Sequence, residues 1–392
     1  MVNYICTGTF FSGKMHILIA PNAFKNSLPA ADAAEAIRRG ILQSGLNCST
    51  HCFPIGDGGD GTASLITNFF AGTFYETIGY DPAWKQIKSN IGFIEGGQTA
   101  VIEMADISGL KLLDPTELDP LYATSFGCGE LLRAAMDQGA RKIILAIGGS
   151  ATVDGGCGIL QALGVRFMDK LGNELSHLPE SLGYLDGIDL SGIDKRIWNT
   201  ELVVLCDVEN HLLGERGAAA VFGPQKGASP EDVIRLENAL QKLRDVSLRH
   251  TGVDMNVLTH GGAAGGTAAT LHIFLKAKLV PGIEYFLDIS GFDEALRQTN
   301  LLITGEGAID YQTIEGKAPF GVARRAKKYN IPVVALAGQL PLEPDARITD
   351  HFDVLMTIGH QPEDLTDAML HTAKNLEQTA RQLGNMIKIF KT

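Results

Sequence analysis

Two aspartates stand among four glycines in the segment Gly56–Gly61, which reads GDGGDG. The spacing matches GxGxxG, the pattern of a dinucleotide-binding turn, and Asp81 follows about twenty residues later. However, Asp57 and Asp60 would repel a pyrophosphate unless a cation lay between them. Because Mg²⁺ is usually held by one or two carboxylates together with substrate phosphates, the segment favours a metal or substrate site. A solvated glycine turn and a dinucleotide site stay open as alternatives.

A second glycine segment, GGSATVDGG, covers Gly148–Gly156 and leads into a helical pattern. Backbone N–H groups before a helix form an anion site, so this segment predicts phosphate binding. The candidate phosphate-binding residues are Gly148, Gly149, Ser150 and Thr152. Asp154 in the same segment is a candidate to accept a substrate proton or pair with a metal. It could also simply cap the following helix.

Isolated polar residues follow other apolar runs. Asp207 comes directly after a buried run, where catalytic acids and plain turn residues are both common. Gln225 and Lys226 in GPQKGA suit either a phosphate-binding loop or a surface turn. Lys25, just past the first apolar run, is a catalytic candidate, and Ser27 is a candidate for substrate binding or for capping the next helix.

The segment Gly305–Lys317 reads GEGAIDYQTIEGK and predicts a long loop between a strand and a helix. Long loops in compact domains are usually functional. The candidate binding residues in it are Glu306, Asp310, Gln312 and Lys317. It is not a Walker A loop, because Tyr311 stands at the position of the first glycine and Ala318 replaces Ser or Thr.

These polar segments share one context, since each follows a short apolar run and precedes a helical pattern. Strands are expected in His16–Pro21, the run ending at Ile55, Lys142–Ile147, Leu202–Cys206, Leu301–Thr304 and Val333–Ala337. Continuous apolar runs alternating with helices indicate parallel sheets buried on both faces, whose ligands bind at the carboxyl ends of the strands. Asn90–Glu95 and Thr99–Met104 suit antiparallel strands.

Composition restricts the setting. A chain of 392 residues predicts two domains, and its net charge of −12 disfavours nucleic acid and membrane surfaces as partners. The six cysteines are scattered without a CxxC pair, which favours free thiols in a reducing cytoplasm. No run of 18 apolar residues occurs, so no membrane span is expected. Residues 1–14 are expected to form an N-terminal extension outside the core.

In their order, the segments resemble the bacterial type I glycerate kinases over nearly the whole chain from Met15. The segments that carry the resemblance are APNAFKNSL, IGDGGDGT, VIEMADISGL, GGSATVDGGCGILQALG, CDVENHLLGERGAAAVFGPQKGA, GGAAGG and TGEGAIDYQTIEGKAPFGVA. The resemblance implies an α/β fold of two domains. Residues 15–79 plus 286–392 would form a discontinuous Rossmann-like parallel-sheet domain, and residues 80–285 an inserted α/β domain.

The same resemblance implies ATP-dependent phosphorylation of D-glycerate, most often to the 2-phosphate, with ATP and Mg²⁺ as cofactors. A kinase forming 3-phosphoglycerate and a non-catalytic sensor of small hydroxy acids are the alternatives, and the oligomeric state stays open. The family's first loop usually carries Asp-Ser where this chain has Asn22 and Ala23. This departure leaves the role of that loop open.

Phosphoryl transfer needs positioned charges more than covalent chemistry, which suggests roles for these residues. Asp57 and Asp60 are the expected Mg²⁺ ligands. Asp154 or Asp207 would accept the hydroxyl proton, and Lys25 or Lys317 would neutralise an anionic group.

Overall fold

The structure of the protein is a computed structural model that describes residues 14–310 and 317–391. The predicted extension 1–14 therefore lies outside the described residues, apart from Lys14. Among the described residues, no helix combines the length and the apolar character needed to cross a membrane.

Strands and helices alternate along most of the chain. The strands are β1 (Met15–Pro21), β2 (Cys48–Cys52), β3 (Thr73–Tyr80), β4 (Gln86–Ile94), β5 (Thr99–Glu103), β6 (Lys142–Ala146), β7 (Arg166–Met168), β8 (Gly187–Asp189), β9 (Glu201–Leu205), β10 (Lys278–Val280), β11 (Leu301–Ala308), β12 (Val333–Gln339) and β13 (Val354–Thr357). The helices are α1 (Ala30–Gln43), α2 (Thr62–Phe69), α3 (Ala105–Ser108), α4 (Phe126–Asp137), α5 (Cys157–Ala162), α6 (Ala218–Phe222), α7 (Pro230–Thr251), α8 (Thr267–Leu275), α9 (Gly282–Ile289), α10 (Phe292–Leu296), α11 (Ala318–Lys328), α12 (Ala346–Thr349), α13 (Leu365–Leu370) and α14 (Thr372–Lys391).

The chain divides into two compact units. The split unit contains the described residues up to Ile55 and those from Leu287 onward, and the inserted unit is Gly56–Phe286. The predicted α/β class, with one unit made of two stretches and the other inserted between them, is confirmed. The division after Ile55 differs from the expected boundary at residue 79, because β3 pairs along its whole length with β4 in the inserted unit.

The split unit is built on a five-stranded sheet in the order β13-β12-β11-β1-β2, with every neighbouring pair parallel. Its strands are short apolar runs, and their buried side chains pack with α1 and α14 into one core. Gly40 of α1 allows the close approach of α14, since a Cβ there would lie 2.1 Å from the carbonyl oxygen of Glu377. Helix cover on a parallel sheet leaves the strand ends as the place for polar loops.

The inserted unit has a six-stranded sheet in the order β10-β9-β6-β5-β4-β3. The pairs from β10 to β5 are parallel, whereas β5 with β4 and β4 with β3 are antiparallel. The antiparallel strands expected at Asn90–Glu95 and Thr99–Met104 are therefore confirmed. A separate two-stranded ribbon joins β7 to β8.

Two local predictions about the split unit are wrong. Ser27 does not cap α1, because Pro29 occupies the N-cap position and makes no side-chain capping bond. The loop predicted from Gly305 begins later, because Gly305–Ala308 continues β11 and pairs with β12. Gly305 is suited to this strand, since a Cβ there would lie 2.1 Å from the carbonyl oxygen of Leu336.

Candidate functional site

The glycine loop Gly56–Gly61 lies in the inserted unit against the carboxyl end of β9. A Cβ on Gly58 would lie 3.1 Å from the Cβ of Leu205, and the φ angle of Gly58 is +94°. The N–H of Gly148 donates to the carbonyl oxygen of Gly58 at 2.9 Å. The two glycine segments singled out in the sequence are therefore in direct contact, and glycine is required where their backbones meet.

Two carboxylates approach each other at this end of β9. Asp207 is half-buried, and its Oδ1 accepts a hydrogen bond from the N–H of Gly282 at 2.6 Å. The Oδ1 of Asp57 accepts from the N–H of Gly59 at 3.1 Å. The pKa of Asp207 is raised well above its usual value, first by burial and then by the charge of Asp57. A cation would relieve the repulsion between these two carboxylates.

Asp60, the other aspartate of the loop, is exposed and belongs to a different charge cluster. Its Oδ1 lies 3.7 Å from the Nζ of Lys111, which also contacts Asp106 at 2.7 Å and Glu103 at 3.4 Å. Lys111 and its two further partners were not identified as site residues from the sequence. The signal was present, since Glu103 and Asp106 belong to the segment VIEMADISGL and Lys111 follows it directly.

Glu103 connects this cluster to the glycine loop. Its side chain is buried, and its oxygens accept hydrogen bonds from the N–H groups of Gly61 and Ala63, at distances between 2.9 and 3.2 Å. Burial and the charge of Asp106 raise the pKa of Glu103 to about 7. Glu103 thus fixes the end of the loop and the first turn of α2, where its negative charge also suits the helix N-terminus.

The described part of the chain contains no group of three or more His, Cys, Asp and Glu side chains arranged to hold a metal. Mg²⁺ differs from Zn²⁺ in this respect, because it keeps several waters and needs only one or two protein carboxylates beside substrate phosphates. A single carboxylate such as that of Asp57 is therefore compatible with Mg²⁺.

Asp154 of the second glycine loop occupies a closed environment. The residue is fully buried. Its Oδ2 accepts from the N–H and Oγ of Ser125 and from the N–H of Gly158, while Oδ1 accepts from the N–H of Gly156. Both carboxylate oxygens are thus used to hold the loop and the start of α5. Asp154 is not the N-cap residue of α5, which is Gly156, but its carboxylate holds the N–H groups of Gly156 and Gly158 and also contacts Ser125.

Lys226 is buried beneath the same loop. Its Nζ donates to the Oγ of Ser150 at 2.9 Å and to the carbonyl oxygen of Thr152 at 2.8 Å. Burial lowers the pKa of Lys226 to about 7, and the charge of Asp154 opposes this shift. The adjacent Gln225 is exposed. Lys226 therefore contacts the loop and is not presented to solvent as a direct phosphate ligand.

In the split unit, Lys25 and Ser27 follow β1. Lys25 is exposed, whereas the hydroxyl of Ser27 donates to the carbonyl oxygen of Met369 and to the Oγ1 of Thr372, both at 2.6 Å. Ser27 thus connects the first loop to the start of α14. Of the two residues, Lys25 is the one placed to meet a soluble anion.

The remaining candidates surround the end of β11. Glu306 is buried within that strand and pairs in register with Ala337. Asp310 and Lys317 lie 3.6 Å apart as an ion pair, and Lys317 directly precedes α11. Gln312 lies outside the described residues. The structure therefore keeps Asp310 and Lys317 together at the two ends of the segment 311–316.

Comparison with known proteins gives matches over nearly the whole chain. A model described as the glycerate kinase family matches residues 17–388. The glycerate kinase of Bacillus subtilis (strain 168) is 41% identical over 378 residues, which are 96% of this chain and 99% of that protein. The glycerate 2-kinase of Escherichia coli (strain K12) is 42% identical over 380 residues, which are 96% and 98% of the two chains.

A solved structure agrees with these sequence matches. The crystal structure from Salmonella typhimurium LT2 that is named for glycerate kinase 2 has a TM-score of 0.82 and 40% sequence identity. The match covers 97% of this chain and 100% of that chain.

Proposed function

Because the chain belongs to the glycerate kinase family, we propose that it transfers the γ-phosphate of ATP to the 2-hydroxyl of D-glycerate, forming ADP and 2-phospho-D-glycerate. The name of the Escherichia coli relative supports the 2-position over the 3-position, which the sequence left open. The proposed cofactors are ATP and Mg²⁺, and the proposed location is the cytoplasm.

The observation that carries this proposal is the approach of Asp57 and Asp207 at the carboxyl end of β9, beside the loop that begins at Gly148. Burial and then the charge of Asp57 raise the pKa of Asp207. Carboxylates placed side by side repel each other. Such pairs are typical of active sites, where a bound cation or a proton removes the repulsion.

Asp57 is the proposed Mg²⁺ ligand. Asp60, the other ligand expected from the sequence, is held near Lys111 and is proposed to shape the loop through that contact. When bound, Mg²⁺ would neutralise negative charge on the phosphates during transfer. In its absence, Asp57 and the N–H of Gly59 still define the geometry of the loop.

Asp207 is the proposed acceptor of the substrate hydroxyl proton. A carboxylate suffices for this role in kinases, because the hydroxyl proton is accepted by an aspartate in the catalytic loop of protein kinases as well. Burial, the first cause of the raised pKa of Asp207, makes its carboxylate a stronger base than an ordinary aspartate. Asp154 is less suited, because both of its oxygens accept buried hydrogen bonds from the loop and from Ser125.

The loops are proposed to bind the phosphate and the other anionic groups of the substrates. The backbone of Gly149 and Ser150 would receive phosphate, since the N–H of Gly148 is already bonded to Gly58. The exposed Lys25 would neutralise an anionic group. Lys317 is the second candidate cation, although its pairing with Asp310 offsets its charge. Glu306 and Gln225 remain proposed binding residues of lower priority, because the first is buried in a strand and the second lies in an exposed turn.

The test is a coupled assay of ADP release with D-glycerate, ATP and Mg²⁺, in which the product is also offered to enolase. ADP release that depends on D-glycerate, with direct consumption of the product by enolase, is the expected result. ADP release without an enolase signal would place the phosphate on the 3-hydroxyl. Binding of D-glycerate without ADP release would contradict the kinase proposal and favour a sensor.

A further inference from the structure

Lys226 lies in a short turn that is fixed in place independently of its side chain. The turn covers Pro224–Lys226 and follows α6, and the N–H of Lys226 donates to the carbonyl oxygen of Gly223 at 2.9 Å. Gly227 has a φ angle of +97°, and a Cβ there would lie 2.7 Å from the carbonyl oxygen of Leu118. The base from which the lysine side chain extends is therefore rigid.

The side chain of Lys226 contacts the loop on both sides of Ala151, at Ser150 and at Thr152. Its Nζ donates to the Oγ of Ser150 and the carbonyl oxygen of Thr152, and the N–H of Ala151 donates to the carbonyl oxygen of Ser108 at 2.9 Å. Three consecutive loop residues are thus bonded to two separate segments of the inserted unit. Hydrogen bonds at this density fix backbone orientation rather than merely fill space.

We propose that Lys226 is a positioning residue, which fixes the backbone of Ser150–Thr152 so that the preceding, exposed Gly149 presents its side of the loop to phosphate. This inference rests on the proposed function of the loop. The role of Lys226 is an addition to that function, because Lys226 acts through Ser150 and Thr152 and never touches the ligand. Lys226 is only 3% exposed to solvent, which excludes direct contact between its side chain and a phosphate in solution.

The bonding pattern indicates hydrogen bonding as the means. An uncharged lysine amine has two N–H donors, and two acceptors are present at Ser150 and Thr152. The charged side chain whose field reaches the amine is that of Asp154, which is itself engaged by Ser125. Lys226 therefore does not need a positive charge that acts on the phosphate.

The test is Lys226→Met, which keeps an unbranched side chain only one atom shorter and removes both hydrogen bonds. The expected result is a fall in kcat/KM for ATP of about 10²-fold, with KM for D-glycerate changed by less than about threefold, because small misplacement of a binding loop is costly. Lys88→Met, an exposed lysine of β4 paired with Glu76, is the matched chemical control. Phe167→Leu, a buried change in β7, is the control for lost core packing.

A double-mutant cycle with Ser150→Ala separates positioning from general damage. If Lys226 acts through Ser150, the losses from the two variants should not multiply, since residues in contact are coupled. Multiplying losses, or a kcat/KM within about threefold of wild type for Lys226→Met, would overturn the proposal.

Hydrogen exchange provides a readout that does not depend on turnover. The peptide containing the N–H of Ala151 should exchange faster in Lys226→Met, while peptides of β7 and β8 should be unchanged. Unchanged exchange at Ala151 would overturn the proposal. If Lys226→Met does not fold, Lys226→Gln is measured in the same way. Absence of D-glycerate-dependent turnover in the wild type would contradict the proposed function but leave the exchange test decisive for Lys226.

Discussion

The two glycine loops of the inserted unit both combine glycine with aspartate and yet use their aspartates in opposite ways. In Gly56–Gly61, Asp57 is half-buried and electrostatically coupled to Asp207, and Asp60 is exposed. In Gly148–Gly156, Asp154 is fully buried and accepts four hydrogen bonds, from its own loop, from the first turn of α5 and from Ser125. Glycine and aspartate after a buried strand therefore do not by themselves identify a catalytic carboxylate. The surroundings of the carboxylate differ: four donors surround Asp154, whereas Asp57 and Asp207 each have an N–H donor and also lie near each other's negative charge.

The largest effect that would sharpen this contrast is expected for Asp207→Asn. The amide keeps an oxygen for the N–H of Gly282 but cannot accept a proton, so kcat should fall by about 10²–10³-fold. Steady-state kinetics with saturating ATP and D-glycerate measure the change. A kcat within about threefold of wild type would remove Asp207 from the chemistry.

Asp207→Asn is expected to lower activity without lowering stability. A carboxyl whose pKa is raised on folding makes the folded state less stable as the pH rises through that raised pKa. Asp207→Asn should therefore have an equal or higher melting temperature than the wild type at neutral pH. A lower melting temperature would show that the carboxylate stabilises the fold instead.

The buried amine of Lys226, which lies below the loop Gly148–Gly156, can be tested through the pH dependence of the free energy of unfolding. The pKa of Lys226 is about 7 in the folded protein, against about 10.4 in an unfolded chain. Between these values the unfolded state binds more protons, so this group makes the wild type more stable as the pH rises.

Lys226→Met lacks this contribution. The difference in unfolding free energy between wild type and variant should therefore grow in favour of the wild type by about 1–2 kcal/mol from about pH 7.5 to about pH 9, since one proton is worth at most about 1.4 kcal/mol per pH unit. Urea unfolding at several pH values measures it. A constant difference would mean that the buried amine titrates normally.

A smaller effect is expected in the split unit for Ser27→Ala. The variant loses the hydrogen bonds to Met369 and Thr372, which should lower the free energy of unfolding by about 1 kcal/mol. Activity should change by less than about threefold if Ser27 only connects the first loop to α14. A large rise in KM for either substrate would instead restore Ser27 as a binding residue.

The sequence predicted the fold more completely than the site. Apolar runs such as Leu202–Cys206 predict β9 because a parallel strand buried on both faces is continuously apolar. The end of β11 resembles a loop in the sequence because it contains Gly305 and Gly307. Glycine is needed at position 305 because a Cβ there would lie 2.1 Å from the carbonyl oxygen of Leu336 in β12. Local pattern cannot show which glycines face another strand.

The site residues depended on distant partners in the same way. Ser125 precedes Asp154 by 29 positions, and Lys226 lies 76 positions after Ser150. No local spacing links such residues, so the sequence leaves Lys226 open between a phosphate-binding loop and a surface turn and gives no role to Lys111. By contrast, the proximity of Asp57 and Asp207 agrees with the rule that strand ends in a parallel sheet gather polar residues.

The most direct test of the contrast is to compare Asp57→Asn and Asp154→Asn in one set of kinetic and melting measurements. Asp57→Asn should lower kcat/KM by at least about 10²-fold and raise the Mg²⁺ concentration needed for half-maximal rate, with little change in melting temperature. Asp154→Asn should lower the free energy of unfolding by about 2–4 kcal/mol, because an amide hydrogen faces buried donors, while the folded variant keeps most of its kcat. Full stability with lost turnover in Asp154→Asn, together with normal turnover in Asp57→Asn, would contradict the account and exchange the roles of the two loops.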